Sequence, residues 1–170
     1  APNLINGVKD LKGISIGDVF YIFIVNNNSE LVRLKFENGL VEGSFVGDNL
    51  GNLGMLSSPR GLDIANVGED YYVIVGSSNS SNVTVVSFES GLEGTTETRS
   101  IAFPDASGIY GVKLIKDCDN WYAFASSTVG RIYIYPLGNS PMTGTADPVE
   151  IARVAATFRI NHIIELGVHY

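Results

Sequence analysis

The chain has 170 residues, 45% apolar, 17% charged and 10% aromatic, with a net charge of −7, which excludes wholesale disorder. Its longest apolar run, VFYIFIV from Val19 to Val25, is far short of the ~20 residues of a bilayer-crossing helix, so no membrane span is expected. Eleven basic against 18 acidic residues, with no Lys/Arg cluster, argue against nucleic acid as a partner.

In chain order, the first unit opens at Gly7-Val8-Lys9 and reaches the aromatic pair Phe20-Tyr21. An apolar run to Val25, a polar turn (NNNSE), the run LVRLKF and the turn ENGL follow. The second unit opens at Gly61-Leu62-Asp63, reaches Tyr71-Tyr72, turns through GSSNSSN, and continues as VTVVSF into ESGL. The third opens at Gly111-Val112-Lys113, reaches Trp121-Tyr122, turns through SSTVGR, and continues as IYIYPL into GNSP. The opening glycines are spaced 54 and then 50 residues apart, so the first unit reads as carrying a three-residue insertion around Lys12 to Gly17. A fourth copy opens near Ile163-Ile164-Glu165-Leu166.

Each unit offers four strands: the glycine-led segment, the aromatic-led run, the alternating run, and a later stretch (Gly43 to Val46, Thr96 to Ala102, Val149 to Val154). Val, Ile, Tyr, Phe and Thr dominate them, alternation has period two, and no apolar stripe of period 3.6 is long enough for a helix. Four short strands per ~50 residues is the arithmetic of a propeller blade. The expected fold is all-β: blade 1 over about 7–60, blade 2 over 61–110, blade 3 over 111–160, and a stub of a fourth repeat at 161–170.

Ser58-Pro59-Arg60-Gly61-Leu62-Asp63-Ile64, followed by Tyr71 to Val75 and an Asn/Ser-rich turn, resembles NHL-type propeller repeats. Asp119 to Phe124 and Leu137 to Ser140 are similar to blades of large surface proteins of Bacteroidetes-type bacteria and their phages. That resemblance carries no catalytic motif, and implies a scaffold for recognition. Propellers close with roughly four to eight blades. Three blades therefore leave bare sheet faces, to be covered by another copy of the chain, which would give six blades, by another chain of an assembly, or by a larger parent.

Candidate site residues follow from the repeat. Lys9, Asp63 and Lys113 read as equivalent positions, with Glu165 as a fourth, and would line a central channel either as a salt-bridged wall or as a grip on a polar ligand. Trp121, with the other paired aromatics, either stacks on sugar rings or packs between blades, the recurrence favouring packing. Tyr133 and Tyr135, found in one unit only, are freer to form a contact surface. Asp117-Cys118-Asp119-Asn120 fails as a calcium loop because Tyr122 and Thr128 stand where glycine and an acid are required, so it reads as a turn. The lone Cys118 and the two histidines, His162 and His169, build neither a metal site nor a recognisable triad. Acidic residues are numerous enough for a glycosidase-like pair, but their number selects none.

The sequence-based expectation is a non-enzymatic structural and recognition module of an extracellular, cell-surface or virion assembly, with no cofactor and no metal. Its partners would be other copies or other chains, and surface glycans. A glycan-binding lectin-like propeller and a fragment of a propeller enzyme acting on glycans are the alternatives. Gly7, Gly61 and Gly111 are expected where a side chain would crowd the neighbouring blade.

Overall fold

The computed structural model describes residues 4–41, 44–89, 91–94, 96–104, 106–145 and 147–153. Among them it contains twelve strands and no helix. Strands β1 (Val8–Ile16), β2 (Val19–Asn26), β3 (Leu31–Phe36) and β4 (Phe45–Gly51) form one antiparallel sheet in that order. A second sheet is built the same way from β5 (Pro59–Val67), β6 (Asp70–Ser77), β7 (Asn82–Phe88) and β8 (Thr96–Ala102). The third contains β9 (Ile109–Asp117), β10 (Asn120–Ser127), β11 (Arg131–Gly138) and β12 (Val149–Arg153). These are three propeller blades of an incomplete ring, with β5 packed between β1 and β9 as the innermost strands. The expected stub at 161–170, with Glu165 and both histidines, lies outside the described residues.

Each blade opens with the same two devices. A residue in the left-handed region precedes the first strand: Gly7 (φ 60°), Ser58 (φ 52°) and Gly108 (φ 72°). A two-residue hairpin then joins the first strand to the second, with positive φ at its first loop residue only: Gly17 (φ 57°), Gly68 (φ 61°) and Cys118 (φ 52°). That is the signature of a type II′ turn, whose twist matches paired strands and whose first position favours glycine. The segment around Cys118 is thus a turn, as expected.

The repeat register differs from the one read in the sequence. Ladder pairing makes Gly7, Ser58 and Gly108 equivalent, at spacings of 51 and 50 residues, and the first blade has no insertion. Gly61 and Gly111 correspond instead to Asp10, and Asp63 and Lys113 correspond to Lys12. Strand β4 also starts and ends later than the expected Gly43 to Val46.

Packing between blades forms the core. Tyr21, Phe23, Val25 and Leu31 of the first blade meet Leu62, Tyr71, Val73, Val86 and Phe88 of the second. On the second blade's other face Ile74, Val83, Val85 and Ile101 meet Val112, Leu114, Trp121, Tyr133 and Leu137. Alternation sends adjacent aromatic neighbours to opposite faces, so Tyr71 joins the first interface and Tyr72 the second, where it meets Trp121 edge to face at 5.2 Å.

Outer clamps add direction to this packing. The Arg33 guanidinium donates to the Leu92 carbonyl of the next blade and pairs with Asp48 at 2.7 Å. Arg99 donates to the carbonyls of Pro141, at 2.8 Å, and Gly144, and lies over the Tyr135 ring. Lys35 and the Tyr21 hydroxyl both reach Glu93 Oε1, at 2.8 and 2.6 Å. Burial and that bond push the Tyr21 hydroxyl up to about 12, while Lys35 and Tyr21 hold the Glu93 carboxyl below its ordinary value.

Candidate functional site

One set of charged groups lies on the three innermost strands. At the entry of each, one residue is skipped by the ladder to its neighbour: Lys9 in β1, Arg60 in β5 and Tyr110 in β9. Such bulges re-aim a side chain away from the regular alternation. Immediately after the skipped residue stand Asp10, Gly61 and Gly111, and two positions further Lys12, Asp63 and Lys113.

Two carboxylates connect neighbouring axial strands. Asp10 Oδ2 accepts the N–H of Leu62 at 2.9 Å while its Oδ1 accepts the N–H of Leu11 at 2.9 Å. Asp63 Oδ2 accepts the N–H of Leu114 at 3.1 Å, and its Oδ1 lies 3.4 Å from Lys113 Nζ. Asp63 is buried, and burial pushes its carboxyl above the ordinary value against the opposing pull of the Leu114 N–H and Lys113. Asp10 is only half-buried. The arrangement therefore sets a desolvated carboxyl with raised proton affinity beside a strand that carries a more solvated one. The two carboxyls flank β5, Asp10 bonded to Leu62 from the β1 side and Asp63 to Leu114 on the β9 side, and carboxyls in divergent environments are the raw material of general acid and base chemistry.

Of the expected site residues, the fold brings Asp63 and Lys113 together and leaves Lys9 at the bulge of β1, the position equivalent to Arg60 in β5 and Tyr110 in β9. Trp121, Tyr133 and Tyr135 are 3%, 3% and 9% exposed. Tyr133 and Tyr135 each lie 5.9 Å from the Phe103 ring, so all three rings pack between the second and third blades. Sequence reading passed over Asp10 and Arg60. Counting back from the recurring aromatic pair, instead of forward from the glycine, aligns Asp10 with Gly61 and would have exposed both.

Two clefts flank these strands. One, of about 290 Å³, lies between the second halves of β5 and β9 and is lined by Asn66, Lys113, Lys116 and Trp121. The other, of about 420 Å³, is a shallow serine-rich groove lined by Ser78 to Ser81, Pro104 and Ser107, with no titratable side chain. Among the described residues no group of His, Cys, Asp and Glu is arranged to hold a metal ion.

No protein-family model and no curated protein matches the sequence, whereas the fold matches solved structures. The catalytic domain of a Coprinopsis cinerea GH62 α-L-arabinofuranosidase superposes with a TM-score of 0.66 and 18% identity, over 91% of this chain and 54% of that one. An α-L-arabinofuranosidase from Podospora anserina, in complex with cellotriose, gives 0.65 and 16% over the same shares. A GH43 α-L-arabinofuranosidase from Clostridium thermocellum gives 0.60 and 10%, over 89% of this chain and 58% of that one. The chain thus spans little more than half the length of these relatives, and at such identities the fold is what they share. These are five-bladed propeller glycosidases, so what stands of the NHL and bacterial or phage resemblance is the repeated four-stranded sheet. The expectation of a non-enzymatic structural and recognition module is overturned by the same matches. All of them are glycoside hydrolases, and they favour the alternative of a fragment of a propeller enzyme acting on glycans.

Proposed function

We propose that this chain is the three-bladed part of a glycan-acting hydrolase, with Asp10 and Asp63 as its acid–base groups. The observation that carries the reading is the superposition of about nine-tenths of the chain on glycoside hydrolases of families 43 and 62. The axial carboxylates supply the chemistry. Asp63, with its raised proton affinity, donates a proton to the leaving glycosidic oxygen, and the more solvated Asp10 acts as the carboxylate partner. Pentose-bearing plant glycans are the substrate class, by analogy with the arabinofuranosidases it resembles. Three blades matching 54–58% of five-bladed relatives leave room for two further blades, which would complete the wall around the substrate. An Asn-, Ser- and Thr-rich composition with few lysines supports an extracellular setting.

Pentose release from arabinoxylan and from short arabino- and xylo-oligosaccharides tests this. We expect turnover that falls on the order of a hundredfold or more in Asp63→Asn. Activity should also decline as pH rises through the raised Asp63 value, because the proton donor is then lost. A folded chain that releases no sugar, or turnover untouched in both Asp63→Asn and Asp10→Asn, overturns it.

A further inference from the structure

The bulge level of the axis holds a cation that the fold does not satisfy. At Gly61 β5 lies tight against β9: a Cβ there would come within 2.1 Å of the Tyr110 carbonyl oxygen. That approach lays the Arg60 guanidinium carbon 5.7 Å from the centroid of the Tyr110 ring. That contact adds a cation–π attraction. Yet Arg60 Nε is buried with no hydrogen-bond partner, and among the described residues Arg60 makes no ion pair. Lys9, at the corresponding bulge of β1, is likewise without an acidic partner among the described residues. The axial carboxylates are engaged elsewhere, Asp10 on backbone N–H groups and Asp63 on Leu114 and Lys113. A guanidinium with its Nε buried and unpartnered and its terminal nitrogens left to bind outward, on a strand next to one that carries Lys9 at the corresponding bulge, offers donors that an anion can complete.

Building on the hydrolase reading, we infer that Arg60, held on Tyr110 and flanked by Lys9, forms a subsite for a sugar carboxylate, so that the preferred glycan carries uronic acid residues. A carboxylate matches the guanidinium fork with two parallel N–H···O bonds, and the ammonium of Lys9 adds charge without fixing direction. The neighbouring Asp10 and Asp63 then disfavour a substrate with its charge placed one residue deeper, which sets the register of the glycan on the axis.

The test is calorimetric titration of the 170-residue chain with trigalacturonate and with the same trisaccharide after reduction of its carboxyl groups, at low and high salt. We expect binding of the acidic trisaccharide that weakens with salt, and about tenfold to a hundredfold weaker binding of the reduced one. Arg60→Gln should remove that preference while leaving the far-ultraviolet spectrum and the weak affinity for the reduced sugar unchanged. Equal affinity for both sugars, no binding of either, or a preference that survives in Arg60→Gln overturns the inference. The hydrolase reading fails separately: acid-selective binding without turnover of any glycan would leave this subsite standing, and turnover of neutral arabinoxylan without acid selectivity would do the reverse.

Discussion

Thr84 is the residue that the packing between the first two blades uses least well. It is 1% exposed, faces the apolar first interface opposite Val75, and its hydroxyl has no partner. A buried hydroxyl without a hydrogen bond forgoes its hydration and gains nothing in return. Valine keeps the branched shape and the strand preference, so Thr84→Val is expected to stabilise the fold by about 1 kcal/mol. A higher urea midpoint with an unchanged m-value would show it; an unchanged midpoint would place an ordered water on the hydroxyl. Single residues also decided what could be read in advance. The aromatic pairs announced themselves as packing residues, because a large apolar ring repeated at one position has few other uses. Cys118 concealed the other marker of the repeat: it occupies the positive-φ turn position that Gly17 and Gly68 hold in the other blades, so the glycine pattern breaks in the third.

Strands were legible because alternation, turn composition and spacing all agree, and the three expected sheets are the observed ones. Their exact phase was not. The recurring Gly-Val/Leu-charge triplet pairs Gly7 with Gly61 by resemblance of letters, whereas the ladder pairs Asp10 with Gly61. A bulge at the start of each axial strand shifts phase by one residue without any residue type that announces it, and the candidate site sits at that bulge. The expected crowding is real at Gly61, where β5 meets the backbone of β9; at Gly7 the nearest atom is Asn27 Cβ within the same blade. Gly61→Ala must push two axial strands apart and is expected to cost about 1–3 kcal/mol, towards the upper end because a backbone carbonyl cannot swing aside. Thermal unfolding reads the loss, and a melting temperature equal to that of the unsubstituted protein would contradict the contact.

For the molecule as a whole, the two outer blades are unlike the middle one in what they leave to solvent. Leu92 of the second blade is 1% exposed, tucked into the first interface with its carbonyl held by Arg33, while Leu40, in the matching turn of the first blade, is 62% exposed, and Leu11 and Phe45, on the face of the first sheet turned away from the second, are exposed too. Apolar area of this kind on one side of a sheet marks an interface that another element covers. We expect the folded chain to bind an apolar dye such as anilinonaphthalene sulfonate, and the double substitution Leu40→Ser with Leu11→Ser to lower the bound fraction without changing the fold. A native chain that leaves the dye unbound would mean these faces are already shielded. The sequence showed three repeats but not the size of the ring they suit, because blade count depends on the angle between neighbouring sheets, which no single unit encodes.

The outer clamps run one way only: Arg33 and Arg99 reach forward from one blade to the carbonyls of the next. In the third blade the positions matching Arg33 and Arg99 are Ile134 and Val149, both apolar. A second molecule arriving with its Leu40 turn against that side would find grease where its predecessors found a guanidinium. Head-to-tail stacking of two copies would therefore lack, at these two positions, the grip that orders the blades within the chain.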